Sequence, residues 1–143
     1  MYQKLIIMGN LGGDPEMRYT PDGTPVTNFS VATNRKWNNA DGSQGEETVW
    51  FRVTVWRKQA ETANQYLTKG QKVLVEGRLT PDKTTGGPRI WTDNSGKPRA
   101  SFEVTADTVR FLGGGQRGGE VSEGGASYQE APPPDMGESE IPF

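Results

Sequence analysis

The chain has 143 residues, 31% of them apolar, with 19 glycines and 10 prolines. It contains no cysteine and no histidine. That excludes disulfides, thiolate metal sites and any Ser-His or Cys-His catalytic pair. The net charge of −2 hides a division. Residues 1–112 carry 15 Lys and Arg against 12 Asp and Glu, whereas residues 113–143 carry one against six. A mildly basic body is therefore joined to an acidic tail.

In chain order, residues 4–12 (KLIIMGNLG) form a short apolar run closed by glycines. It is too short to cross a membrane and too soon broken for a signal peptide, so a cytoplasmic location is expected. Thr20-Pro21-Asp22-Gly23 is a turn signal. Residues 25–34 alternate β-branched and aromatic side chains and predict a second strand. Residues 35–47 are polar, contain Gly42 and Gly45, and predict a loop. Residues 48–57 predict a third strand. Ala60, Ala63, Tyr66 and Leu67 recur at helical spacing, and Gly70 is placed as the helix C-cap. Residues 73–79 predict a fourth strand, with a bulge or bend at Gly77. Residues 80–99, broken by Pro81, glycines and Pro98, read as a long hairpin connection. Residues 100–112 alternate again and predict the last strand.

Three strands, one helix and two strands in this order predict an all-β domain. The best match is the five-stranded Greek-key barrel, the OB-fold, with its helix between strands three and four. A different small barrel or a sandwich is the alternative. The composition changes after Leu112. Residues 1–112 are expected to form the folded domain. Residues 113–137 are expected to be a disordered Gly-, Pro- and Glu-rich linker, and residues 138–143 form a distinct tip.

Catalysis finds little support. The acids of the folded region are scattered, and no pair has the spacing of a metal clamp, so no catalytic residue, metal or cofactor is expected. The segment GGGQRG at residues 113–118 satisfies G-x-G-x-x-G by letter, but no helix follows to receive a pyrophosphate.

The strand at residues 48–57 carries a different signal. Counted in twos, Val49, Phe51, Val53 and Val55 form one face, and Thr48, Trp50, Arg52, Thr54 and Trp56 the other. The second face is the one expected to meet water, yet it holds two tryptophans. Trp37 follows Arg35 and Lys36, and Trp91 lies two residues after Arg89. Packing against neighbouring strands or subunits is one explanation. Single-stranded nucleic acid is the better one, because bases stack on the rings while Lys and Arg track the phosphates. Every base has a π-face, so such a surface tolerates any sequence, and a duplex hides the faces it needs. The candidate stacking residues are Trp37, Trp50, Trp56 and Trp91, with Arg35 and Lys36 as adjacent phosphate ligands.

The chain ends in Glu138, Ser139, Glu140, Ile141, Pro142 and Phe143. Two apolar side chains at the end of an acidic segment suit a short linear motif. Ile141 and Phe143 would fill an apolar pocket on a partner, and the acids would meet a basic rim. A tail of this charge would compete with DNA rather than bind it.

Several segments together resemble the bacterial single-stranded DNA-binding proteins. They are NLGGDPEMRYTPDGTPV, TVWFRV, AETANQYLTKGQKVLVEGRL, WTDNSGKPRA and the closing EIPF. The resemblance implies an OB-fold that assembles as a homotetramer and wraps single-stranded DNA without sequence preference, on the nucleoid and away from membranes. It matches stacking aromatics to Trp37, Trp50, Trp56 and Trp91, and phosphate contacts to Arg18, Arg52, Lys58 and Lys69. It also implies that Glu138 to Phe143 recruit replication, recombination and repair proteins. The chain departs from that pattern in three places. Trp56 stands where Phe is frequent, Thr84-Thr85-Gly86-Gly87-Pro88 lengthen the hairpin before Trp91, and the tip is ESEIPF where a run of aspartates is usual. An OB-fold module that binds protein and a metal-dependent nuclease remain as rival classes.

Overall fold

The computed structural model describes residues 1–113. The linker beyond Gly113 and the tip therefore lie outside the described residues. The elements are β1 (Leu5–Leu11), β2 (Glu16–Tyr19), β3 (Pro25–Asn38), β4 (Gln44–Trp56), α1 (Lys58–Tyr66), β5 (Lys72–Leu79), β6 (Arg89–Thr92) and β7 (Pro98–Phe111). Five strands close a barrel in the order β1-β5-β7-β4-β3, and β1 returns to β3 through Asn10↔Ala32 and Leu11↔Val31. All of these pairings are antiparallel except β4 with β7. This is the expected Greek-key barrel, and its helix lies between the third and fourth barrel strands. Outside the barrel, β2 pairs with the start of β3, and β6 pairs with the start of β7.

The core follows from the pleat. Val31, Val53, Val55, Val73, Val75 and Val104 point inward and are fully buried. Small, β-branched side chains suit the narrow interior of a five-stranded barrel. The helix packs on one end of it, burying Ala60, Ala63 and Leu67. The hydroxyl of Thr27, buried among these groups, donates to the carbonyl of Ala60 at 2.7 Å and ties β3 to the helix. Arg57 makes the corner from β4 into α1 at φ 61° and ψ −130°. A non-glycine residue in that region stores roughly 1–3 kcal/mol of strain.

Two glycines allow the strands to come close. A Cβ on Gly9 would run into the Ala32 carbonyl, and one on Gly77 into the Thr105 carbonyl and, at 2.9 Å, the Ala106 Cα. The β5–β7 register shifts between Glu76 and Gly77, which is the bulge expected there.

Four details differ from the sequence reading. Residues 35–47 are not a loop, because β3 and β4 continue as a two-stranded ribbon with Arg35↔Glu47, Lys36↔Glu46 and Trp37↔Gly45 in register. Polar composition identified water on both faces of the ribbon, not the absence of strand. Residues 80–99 contain β6, and residues 16–19 form β2, both too short to show alternation. Gly70 does not cap the helix. The helix ends at Tyr66 with Leu67 already extended, and Gly70, at φ 89°, turns the chain into β5.

Three hairpins use one turn. In residues 20–24, 39–43 and 93–97 the first N–H bonds the last carbonyl, and the glycine N–H bonds the first carbonyl. Gly23, Gly42 and Gly96 sit at φ 83–88°, as a three-residue loop with a left-handed glycine requires. Gly77→Ala is expected to destabilise the domain by about 1–3 kcal/mol, because the methyl group has only backbone to displace. Urea unfolding measures it, and a midpoint equal to that of the parent protein would show that β5 and β7 are not so closely apposed.

Candidate nucleic-acid interface

The two-residue period of β4 places Val53 and Val55 inside, and Trp50, Arg52 and Trp56 outside. The register then extends this outer face across its neighbours. Ala32 stands beside Trp50, Ser30 beside Arg52, Asn28 beside Thr54, and Val26 beside Trp56. Asn28 accepts a hydrogen bond from Thr54 at 2.8 Å in a row between Trp50 and Trp56, and Asn34 accepts one from Thr48 at 2.9 Å in the row beyond Trp50. On the far side of β3, Arg18 of β2 pairs with Val26, in the same row as Trp56. On the other side of β4, Arg52 lies next to Glu103 of β7. β6 completes the surface, with Arg89 opposite Ser101 and Trp91 opposite Arg99.

Trp50, Arg52, Arg89, Trp91 and Ser101 line one open groove of about 380 Å³. A second groove continues from Trp50 and Arg52 past Asn28 to Gly12 and Asp14. A third joins Trp56 and Arg57 to the turn at residues 20–24. Trp50 is 54% exposed, and Trp56 and Trp91 are each 44% exposed. Trp50 and Trp56 are six residues apart on one strand, or about 20 Å. The ring of Trp50 lies over Gly12, where a Cβ would collide with it.

The predicted site residues separate into groups. Trp50, Trp91 and Arg52 meet in one groove. Trp56 and Arg18 share a row at its far end. Trp37 and Arg35 stand apart, because alternation along the ribbon puts them on the face opposite Lys36. Lys58 opens the helix just beyond Trp56. Lys69 follows the helix, and its N–H donates to Asp14 at 2.8 Å, beside the second groove. Among the described residues, Arg18, Lys36, Arg52, Lys58 and Lys69 form no ion pair. Arg35 is bound to Glu47, Arg89 to Glu103 and Arg99 to Asp93.

Arg89, Arg99, Asn28 and Ser30 were not among the predicted site residues. The two arginines had a signal. Counting back in twos from Trp91 reaches Arg89, and folding the chain about the Asn94-Ser95-Gly96 turn brings Arg99 opposite Trp91. Asn28 and Ser30 had none, because their place depends on register. Asp93 holds that turn together. Bonds from Ser95 first, then from Arg99 and the Lys97 N–H, bring its carboxyl down to about 2, so it is ionised throughout the neutral range.

The family model described as "Single-strand binding protein family" matches residues 2–112, the whole barrel with its β2 and β6 additions. The chain belongs to the single-strand binding protein family. A single-stranded DNA-binding protein of Wolinella succinogenes is 42% identical over 134 residues, covering 92% of this chain and 78% of its own. One of Neisseria meningitidis serogroup B is 42% identical over 127 residues, covering 89% and 67%. Among solved structures, one described as a Plasmodium falciparum SSB complex with ssDNA superposes with a TM-score of 0.62 at 26% identity. That match covers 79% of this chain and 96% of the other. A deletion mutant of the Thermus aquaticus single-stranded DNA binding protein gives a TM-score of 0.60 at 29% identity, covering 79% and 51%. The family is one of binding proteins, which removes the enzyme alternative. No helix among the described residues is long and apolar enough to cross a membrane.

Proposed function

We propose that this chain binds single-stranded DNA without sequence preference, stacking bases on its tryptophans and neutralising phosphates with its lysines and arginines. The observation that carries this reading is the outer face of β4 and β6. Trp50, Trp56 and Trp91 stand exposed there, and Arg18 and Arg52 lie among them with no acidic partner among the described residues. Stacking needs only a π-face, so the surface is indifferent to sequence. The Trp50–Trp91 groove is the central contact, Trp56 and Arg18 extend it, and Lys58 and Lys69 flank it. The single-stranded DNA named for the Plasmodium falciparum relative supports the assignment. Protection of exposed strands in replication, recombination and repair, in the cytoplasm on the nucleoid, is the corresponding role.

The same reading includes assembly into a homotetramer. Among the described residues, no strand pairs with the outer edge of β1 from Leu5 to Gly9. Beside that edge Ile6 and Met8 are 59% and 56% exposed, and Met8 pairs with half-buried Leu74 on β5. An open strand edge with apolar side chains is a template for pairing with a second copy. The tip, Glu138 to Phe143, is proposed to recruit partner proteins. Its support is the sequence motif, since it lies outside the described residues.

Tryptophan fluorescence during titration with oligo-dT tests the binding. Quenching is expected to saturate at a fixed number of nucleotides and to be absent with duplex DNA. Trp50→Ala is expected to weaken binding by about 1–3 kcal/mol with unchanged thermal stability. Arg52→Ala is expected to flatten the dependence of log K on log salt by about 0.7. Absence of quenching at low salt would transfer the exposed rings to a protein partner. Met8→Glu is expected to shift the sedimentation equilibrium toward smaller species, and an unaltered mass would place the subunit contact elsewhere. Deleting residues 141–143 is expected to preserve DNA affinity and end capture of replication and repair proteins; retained capture would put their docking site on the barrel.

A further inference from the structure

Trp37 differs from the other three tryptophans. It is the least exposed of them, at 38%. Its ring lies over Gly45 on the opposing strand, where a Cβ would strike it. The guanidinium of Arg35 stands over the ring, 4.8 Å from the ring centre. Its indole N–H donates to Asn39 at 3.0 Å, which fixes the ring in plane. Arg35 is itself held, because its Nε donates to Glu47 at 2.8 Å directly across the ribbon. Ring, cation and carboxylate thus form a closed stack on one face of the ribbon. A base cannot lie on the guanidinium-covered side of Trp37 while Arg35 occupies it.

We propose that Glu47 is a latch that sets access to Trp37. Single-stranded DNA engages the ribbon by an exchange, in which a phosphate takes Arg35 from Glu47 and a base takes the place of Arg35 on the ring. The proposal rests on the single-stranded DNA reading above. Both partners of the ion pair are substantially exposed, at 69% and 48% of the side chain. Exposed pairs are weak, and a phosphate offers the guanidinium the same two-oxygen geometry as a carboxylate. The exchange is therefore accessible. It also has an ionic signature. Arg35 is already neutralised by Glu47, and the released carboxylate stays beside the DNA as a negative charge, so the pair brings no net positive charge to it. The ribbon then contributes almost nothing to net counterion release. Removing the Glu47 charge converts the exchange into a simple neutralisation.

The test is Glu47→Gln in the full chain, titrated with oligo-dT across a range of salt concentrations. Affinity at low salt is expected to rise about two- to fivefold, the scale of one exposed ion pair. The slope of log K against log salt is expected to steepen by about 0.7, one further phosphate on a single strand. Both changes are expected to disappear in an Arg35→Ala background, because the latch acts only through that cation. Glu46→Gln, one residue away on the other face, is the control for loss of a negative charge near DNA. An equal gain from Glu46→Gln, or a gain from Glu47→Gln that survives Arg35→Ala, would overturn the latch and leave the binding reading intact. Failure of the parent protein to bind oligo-dT would overturn both.

Discussion

The pleat of β4 joins the inside of the barrel to its outer face. This strand is hydrogen-bonded on both sides, antiparallel to β3 and parallel to β7. Its register has no freedom, because a slip of one residue would turn Val53 and Val55 into water and drive Trp50, Arg52 and Trp56 into a core too narrow to hold them. The valines hold the strand, and the strand sets the spacing of the rings. Everything on the outer face then takes its place by pairing, Arg18 through β3 and Trp91 through β6 and β7. The aromatic outer face is in this sense the reverse side of the core.

The cations of the surface serve two purposes. Arg52 lies between the rows of Trp50 and Trp56, Arg18 shares the row of Trp56, and neither carries a partner among the described residues. Arg35, Arg89 and Arg99 are engaged by Glu47, Glu103 and Asp93. Each of those pairs lies on a hairpin or next to one, and each fixes the shape of a segment that carries a tryptophan. Exposed pairs add little to stability, but here they determine where Trp37 and Trp91 stand. The face is thus built from open charges that can meet a polyanion and occupied charges that keep the aromatic segments in place.

Much of this was legible in the sequence, and the reasons are local. Alternation at residues 48–57 identified both faces of β4 because one face was strictly valine and phenylalanine. The position of the helix among the strands identified the barrel. Gly77 announced its bulge. The reading failed where composition and conformation part. The ribbon at residues 35–47 is polar because both of its faces meet water, so a pattern that depends on one buried face had nothing to register. Strands of four residues, as in β2 and β6, are too short to display a period and exist because a longer strand offers an edge. The companions of the tryptophans were hardest to see. Asn28 and Ser30 join the surface through a register twenty or more residues distant, and the covering of Trp37 by Arg35 depends on a cross-strand carboxylate. No linear pattern encodes such a triangle.

Two of the four indole rings lie over a glycine. Trp50 lies over Gly12, and Trp37 lies over Gly45. A bare Cα there is a seat, and its flatness sets the height and tilt of the ring above it. Neither glycine needs a side chain to govern how the ring above it is presented. Variation at positions 12 and 45 is consequently tied to variation at positions 50 and 37: a side chain can be gained at the seat only where the ring is lost or moved. A survey that truncates side chains one at a time would find the tryptophans and overlook the surfaces that present them.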